Sequence, residues 1–84
     1  MMPKHVVLNT LLKTLAAVEE AGEAKFIDVM RACNSPTTAR KYLNYALHRG
    51  LIRVARLYRG RGRYPTKVYT LTQKGAKLLE VMRG

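Results

Sequence analysis

Between Ser35 and Gly50 the chain marks both ends of one helix and separates its two sides. Ser35 suits an N-cap, because its hydroxyl accepts from an unpaired N–H of the first turn, and Pro36 then occupies the first helical position, where a missing N–H costs nothing. Gly50 supplies the left-handed residue that ends a helix without steric penalty. The spacing predicts a helix over about 36–49. At about 100° per residue, Ala39, Leu43, Ala46 and Leu47 share one face. Thr37, Thr38, Lys41, Tyr45 and His48 point the opposite way, flanked by Arg40, Asn44 and Arg49. This outer face holds no acid and is rich in side chains that bond phosphates or base edges.

The remaining segments fall into place around that helix. From Pro3 to Ala21, the residues Val7, Leu8, Leu11, Leu15 and Val18 recur at three- and four-residue steps, one face of a first helix closed by Gly22. Leu12 and Ala16 widen the face, which suggests a further contact such as a second subunit. Glu23-Ala24-Lys25 reads as a short extended link. Phe26 to Ala32 reads as a second helix burying Phe26, Ile27 and Met30, broken by Cys33-Asn34. Leu51–Tyr58 and Lys67–Leu71 are rich in strand formers, with Tyr69 and Leu71 inward and Thr70 outward. The eight residues 59–66 between them suit a flexible hairpin loop. Thr72 caps a last helix with Leu78, Leu79 and Met82 inside, and Gly75 in its first turn permits close backbone approach.

Charge narrows the range of partners. Sixteen Lys and Arg against five Asp and Glu leave a net charge of +11 on 84 residues. Residues 29–79 carry twelve basic side chains and no acid, whereas four of the five acids (Glu19, Glu20, Glu23 and Asp28) stand before them. Folding needs no such excess, and its self-repulsion is mildly destabilising. A polyanion, above all nucleic acid, is the partner that such a surface fits. Arg59, Arg61 and Arg63 alternate with glycine at the hairpin tip, with Tyr64 and Lys67 beside them, a combination suited to a narrow, negative minor groove.

Other classes find little support. No apolar run approaches the roughly twenty residues that span a bilayer, and the start Met1-Met2-Pro3-Lys4 lacks the apolar core of a signal peptide. A cytoplasmic, nucleoid-associated protein is expected. The lone Cys33 permits no internal disulfide and reads as a small buried hydrophobe, since no base accompanies it. His5 and His48 stand far apart, with no further ligand at metal spacing. No carboxylate pair, phosphate loop or Ser/His/Asp set is present, so no enzyme, metal, cofactor or small-molecule ligand is expected.

The order helix, extended link, helix, capped helix, strand, basic hairpin, strand, helix resembles a winged helix-turn-helix domain over nearly the whole chain. Leu43, Gly50-Leu51-Ile52 and Tyr69-Thr70-Leu71-Thr72-Gln73-Lys74-Gly75 carry the resemblance. They are similar to the Gly-Leu-Ile/Val and Tyr-x-Leu-Thr-x-x-Gly segments of MarR, ArsR and PadR types of regulator. Ala46 departs from the pattern, which often has leucine there.

The resemblance implies an α+β, mainly α fold in one domain over 1–84: a three-helix core, a β-hairpin wing and a C-terminal helix. It further implies a transcriptional regulator on double-stranded DNA, with the third helix in the major groove and the wing (59–66) on the backbone or minor groove. Thr37, Thr38, Arg40, Lys41, Asn44, Tyr45, His48, Arg49, Arg59, Arg61, Arg63, Tyr64 and Lys67 would then contact nucleic acid. A homodimer would form through Leu8, Leu12, Ala16, Leu78 and Met82. Rival readings are an RNA-binding or ribosomal-type winged helix, a nonspecific chromosomal DNA-coating protein, and a protein-interaction module.

Overall fold

The computed structural model describes residues 7–59, 62 and 65–84. Its elements run α1 (Leu8–Ala21), α2 (Phe26–Cys33), α3 (Pro36–His48), β1 (Ile52–Tyr58), β2 (Thr66–Leu71) and α4 (Gln73–Arg83). The expected start of the first helix, Pro3 to Val6, and Gly60, Arg61, Arg63 and Tyr64 of the hairpin loop lie outside the described residues.

Local chemistry sets the ends of the helices. The Asp28 carboxylate accepts from the Lys25 N–H at 2.8 Å and opens α2. The Ser35 hydroxyl accepts from the Thr38 N–H at 3.3 Å and opens α3 behind Pro36. At the other end of α3, Gly50 takes φ +73°, its N–H donates to Leu47 O at 3.1 Å, and the Leu51 N–H donates back to Ala46 O at 2.8 Å. This pair of bonds is a Schellman stop, and it delivers Leu51 and Ile52 straight into the core as β1 begins.

The core lies where three helices meet the inner face of the hairpin. Leu11, Leu15 and Val18 of α1, Val29 of α2, Ala39, Tyr42, Leu43 and Ala46 of α3, then Leu51, Ile52, Tyr69 and Leu79 form one buried cluster. Full burial of each large apolar side chain contributes about 1.5–3 kcal/mol. Thr14 is buried too, its hydroxyl donating to Thr10 O at 2.9 Å and lying 3.4 Å from Cys33 Sγ. Cys33 packs against the core as a small hydrophobe.

Expectations about the faces of three helices need correction. Ile27 is 40% exposed and Val29 is fully buried. These positions lie about 200° apart around a helix, so only one can face inward. The stripe Phe26, Val29, Met30, Cys33 has the helical spacing and is the one that packs. On α3 the buried stripe is Ala39, Tyr42, Leu43, Ala46, while Leu47 and Tyr45 are only partly buried at its margins. Tyr42 enters the core because its hydroxyl has a partner there, accepting from the Val7 N–H at 2.8 Å. Val7 and Leu8, expected on the inner face, are 53% and 69% exposed at the start of α1.

β1 and β2 pair antiparallel from Ile52↔Leu71 to Tyr58↔Thr66, with a register shift between Val54 and Arg56 that leaves Ala55 as a bulge. Ala24 exchanges two backbone hydrogen bonds with Tyr69, at 2.9 and 2.7 Å, so the α1–α2 link is bridged to the free edge of β2 at this one residue pair. Hydrogen bonds tie α4 to the end of α3. The Thr72 N–H donates to Leu51 O at 3.0 Å, the Thr72 hydroxyl donates to Gly50 O at 2.6 Å, and the Gly75 N–H donates to that hydroxyl at 3.0 Å. The two sequence segments that carried the family resemblance therefore meet in space.

Candidate nucleic-acid interface

The solvent side of α3 is built as its spacing predicts. Thr37, Arg40, Lys41, Asn44 and His48 are exposed, and Thr38 and Arg49 are half-buried. Tyr45 is drawn further in and packs against the core, a correction to its expected outward position. Aromatic rings support three of the cations. Arg40 stands 5.3 Å from the Phe26 ring centroid, Arg49 5.4 Å from Tyr45, and Lys41 5.8 Å from Tyr42. Each ring restrains a long stem while the charge stays at the surface.

The cationic flank of α3 borders the root of the hairpin. Burial raises the Tyr69 hydroxyl above its ordinary pKa, and the charge of Arg40 pulls in the opposite direction. Gly50 and Leu51 join α3 directly to β1, so little chain separates His48 and Arg49 from the hairpin.

On the hairpin itself Arg59 and Lys67 are exposed, whereas Arg61, Arg63 and Tyr64 fall outside the described residues. Sequence reasoning overlooked two exposed strand cations, Arg53 and Arg56. Position 56 falls just after the bulge, where a strict two-residue alternation cannot follow the strand. Arg56 pairs with Glu23, whose hydrogen bond and charge raise the guanidinium above its already high pKa. Glu19 pairs with Arg83 at 2.9 Å, holding the end of α4 to α1.

Beside α3 an open cleft of about 260 Å³ is lined by Leu11, Tyr45, Arg49, Leu51, Lys74 and Leu78. It brings Lys74, a cation that the sequence reading did not assign to the interface, next to the end of α3. Of the residues expected at a subunit interface, Leu12, Ala16, Leu78 and Met82 pack partly against their own core, and Leu8 remains broadly exposed. Among the described residues no three His, Cys, Asp or Glu side chains gather as metal ligands, and no helix is long and apolar enough to cross a membrane.

No protein-family model and no curated protein matches the sequence. Among solved structures, the chain is similar to BpsR of Bordetella bronchiseptica, whose DNA binding is regulated by 6-hydroxynicotinic acid. The TM-score is 0.74 at 24% identity, covering 98% of this chain. The chain spans about three-fifths of that structure, 61% of its length. Four described helices, one antiparallel hairpin and this likeness together establish the fold as a mainly α winged helix-turn-helix, with α2 and α3 as the helix pair and β1–β2 as the wing.

Proposed function

We propose that the chain is the double-stranded DNA-binding module of a transcriptional regulator. The observation that carries this reading is the exposed, acid-free side of α3, where Arg40, Lys41, Asn44 and His48 stand together. A helix of this kind fits the B-form major groove. Arg and Lys there pair with phosphates or guanine edges, and Asn pairs with adenine. Thr37 and Thr38 take the phosphate that a helix N-terminus favours, and Arg49, braced on the Tyr45 ring, holds sugar and backbone at the other end. The wing, through Arg59, Arg61, Arg63, Tyr64 and Lys67, lies on the backbone or minor groove and supplies mostly sequence-independent affinity. The likeness to BpsR, itself a DNA-binding protein, supports the assignment.

Two copies pair through α1 and α4, about Leu8, Leu12, Ala16, Leu78 and Met82. A pairing that sets two α3 helices roughly 34 Å apart matches successive major grooves. Such a dimer acts in the cytoplasm on the nucleoid.

The test is direct competition between a mixed-sequence DNA duplex and a structured RNA, followed by selection of bound duplexes from a random pool. The reading expects duplex DNA to win and the selected sites to share a motif. A-form RNA hides its major groove from a helix, so preference for RNA would assign the charge to a ribosomal-type role. Equal binding to selected and random duplex would assign it to a chromosome coat. A monomeric mass by light scattering would remove the dimer.

A further inference from the structure

The outer face of the hairpin carries a cluster that the duplex contacts above do not use. Ala24 and Tyr69 both turn into the core, so alternation turns Glu23, Lys25 and Val68 to the opposite face. Arg56 lies opposite Val68, and Tyr58 follows two residues along the same strand, so both join that face. The Glu23 carboxylate reaches across β2 to the Arg56 guanidinium. Over the Tyr58 ring stand Arg56 at 5.3 Å and Lys25 at 5.8 Å. Val68 is only 1% exposed, yet it stands outside the main core cluster. Its face also carries this ion pair and ring, together with Thr70 and Arg53 toward the other end of the hairpin.

The cluster joins two parts of the proposed interface. Glu23 belongs to the link between α1 and α2, and Arg56 belongs to the wing, immediately after the bulge. Glu23 also brings a negative charge to a strand with no acid of its own. We propose that Glu23 is a positioning residue that fastens the root of the wing to the helix-turn-helix and, by holding Arg56, withholds one positive charge from a bound duplex. The second half of this proposal rests on the duplex-binding reading; the first half does not. The pair is half-exposed on both sides, so it adds little to global stability and acts on local geometry and charge.

The experiment compares the wild-type chain with Glu23→Gln, Arg56→Gln and the double variant. The glutamine keeps the shape of Glu23 and removes its charge. Binding to a mixed-sequence duplex is followed by fluorescence anisotropy between 50 and 300 mM salt. Glu23→Gln is expected to bind roughly three- to eightfold tighter at about 0.1 M salt, and to steepen the slope of log K on log[salt] by about 0.9, one added phosphate contact. The double variant is expected to return to the wild-type slope, because the released guanidinium is gone. A Glu23→Gln slope equal to wild type, or a double variant as steep as Glu23→Gln, overturns the charge-withholding role.

The positioning role is read separately by amide exchange in the free protein. Glu23→Gln is expected to speed exchange at the Ala24 and Tyr69 N–H groups several-fold, with α1 amides unchanged; unchanged exchange at Ala24 and Tyr69 overturns it. If the wild type shows no salt-dependent duplex binding, the duplex reading falls together with the charge-withholding role, and amide exchange still decides the positioning role.

Discussion

Gly75 is the position at which a single methyl group should do most damage. A Cβ built there would stand 2.0 Å from Leu51 O, 2.9 Å from Leu51 C and 3.0 Å from Leu71 Cδ1, where ordinary contact begins at 3.4 Å. The obstructing atom is backbone, and it already accepts from the Thr72 N–H at 3.0 Å. Either α4 must shift outward by more than an ångström or that bond must break. Overpacking of this kind costs about 1–3 kcal/mol. Loss of the hydrogen bond adds about 0.5–1.5 kcal/mol. Alanine returns up to about 1 kcal/mol of helix propensity. The net expectation for Gly75→Ala is a destabilisation of about 0.5–3.5 kcal/mol, or roughly 2–28 °C in melting temperature for a domain of this size at about 4–8 °C per kcal/mol. Thermal unfolding followed by circular dichroism measures it. A Gly75→Ala melting temperature equal to or above wild type would refute the close approach of α4 to the α3–β1 turn, because helix propensity alone would then decide the outcome.

Two further outcomes follow from buried groups on β2. The Thr70 hydroxyl is buried without a partner among the described residues, so Thr70→Val, which keeps the shape and removes the orphan, should raise stability by about 1–2 kcal/mol in urea unfolding. Tyr69 has its pKa raised by burial. The fold therefore favours the neutral phenol: the associated stability is intact below the unfolded value of about 10 and is lost as pH rises through the higher folded value. Melts between pH 8 and 11 should fall more steeply above about pH 10 for wild type than for Tyr69→Phe; parallel curves would contradict the burial.

What could be read in advance, and what could not, has a physical division. The Ser35-Pro36 start, the Gly50 stop, the Thr72 cap and the close approach at Gly75 were legible because each depends on a few neighbouring residues and one backbone conformation. The rotation of α2 was not, since in eight residues Ile27 and Val29 both look like core and only packing against α1 and α3 chooses between them. Tyr45 was placed too far outward, and the burial of Tyr42 was not foreseen. A tyrosine goes inside when its hydroxyl finds a partner, and that partner, the Val7 N–H, is thirty-five residues away. The exposed cations of α3 were legible from helical spacing, whereas Arg56 falls after the bulge at Ala55, which breaks the alternation that would have placed it. The ion pair of Glu23 with Arg56 spans three elements and leaves no local signal in the chain.

A salt titration of binding to duplex DNA tests most directly whether the exposed side of α3 and the basic hairpin form one cationic surface for a duplex. With about five phosphates neutralised per protomer, log K should fall with log[salt] at a slope near −4 to −5, from roughly 0.9 per contact. Lys41→Ala on α3 and Arg61→Ala on the wing should each lower that slope by about one. A flat salt response, or slopes untouched by both substitutions, would contradict the assignment of this surface to DNA.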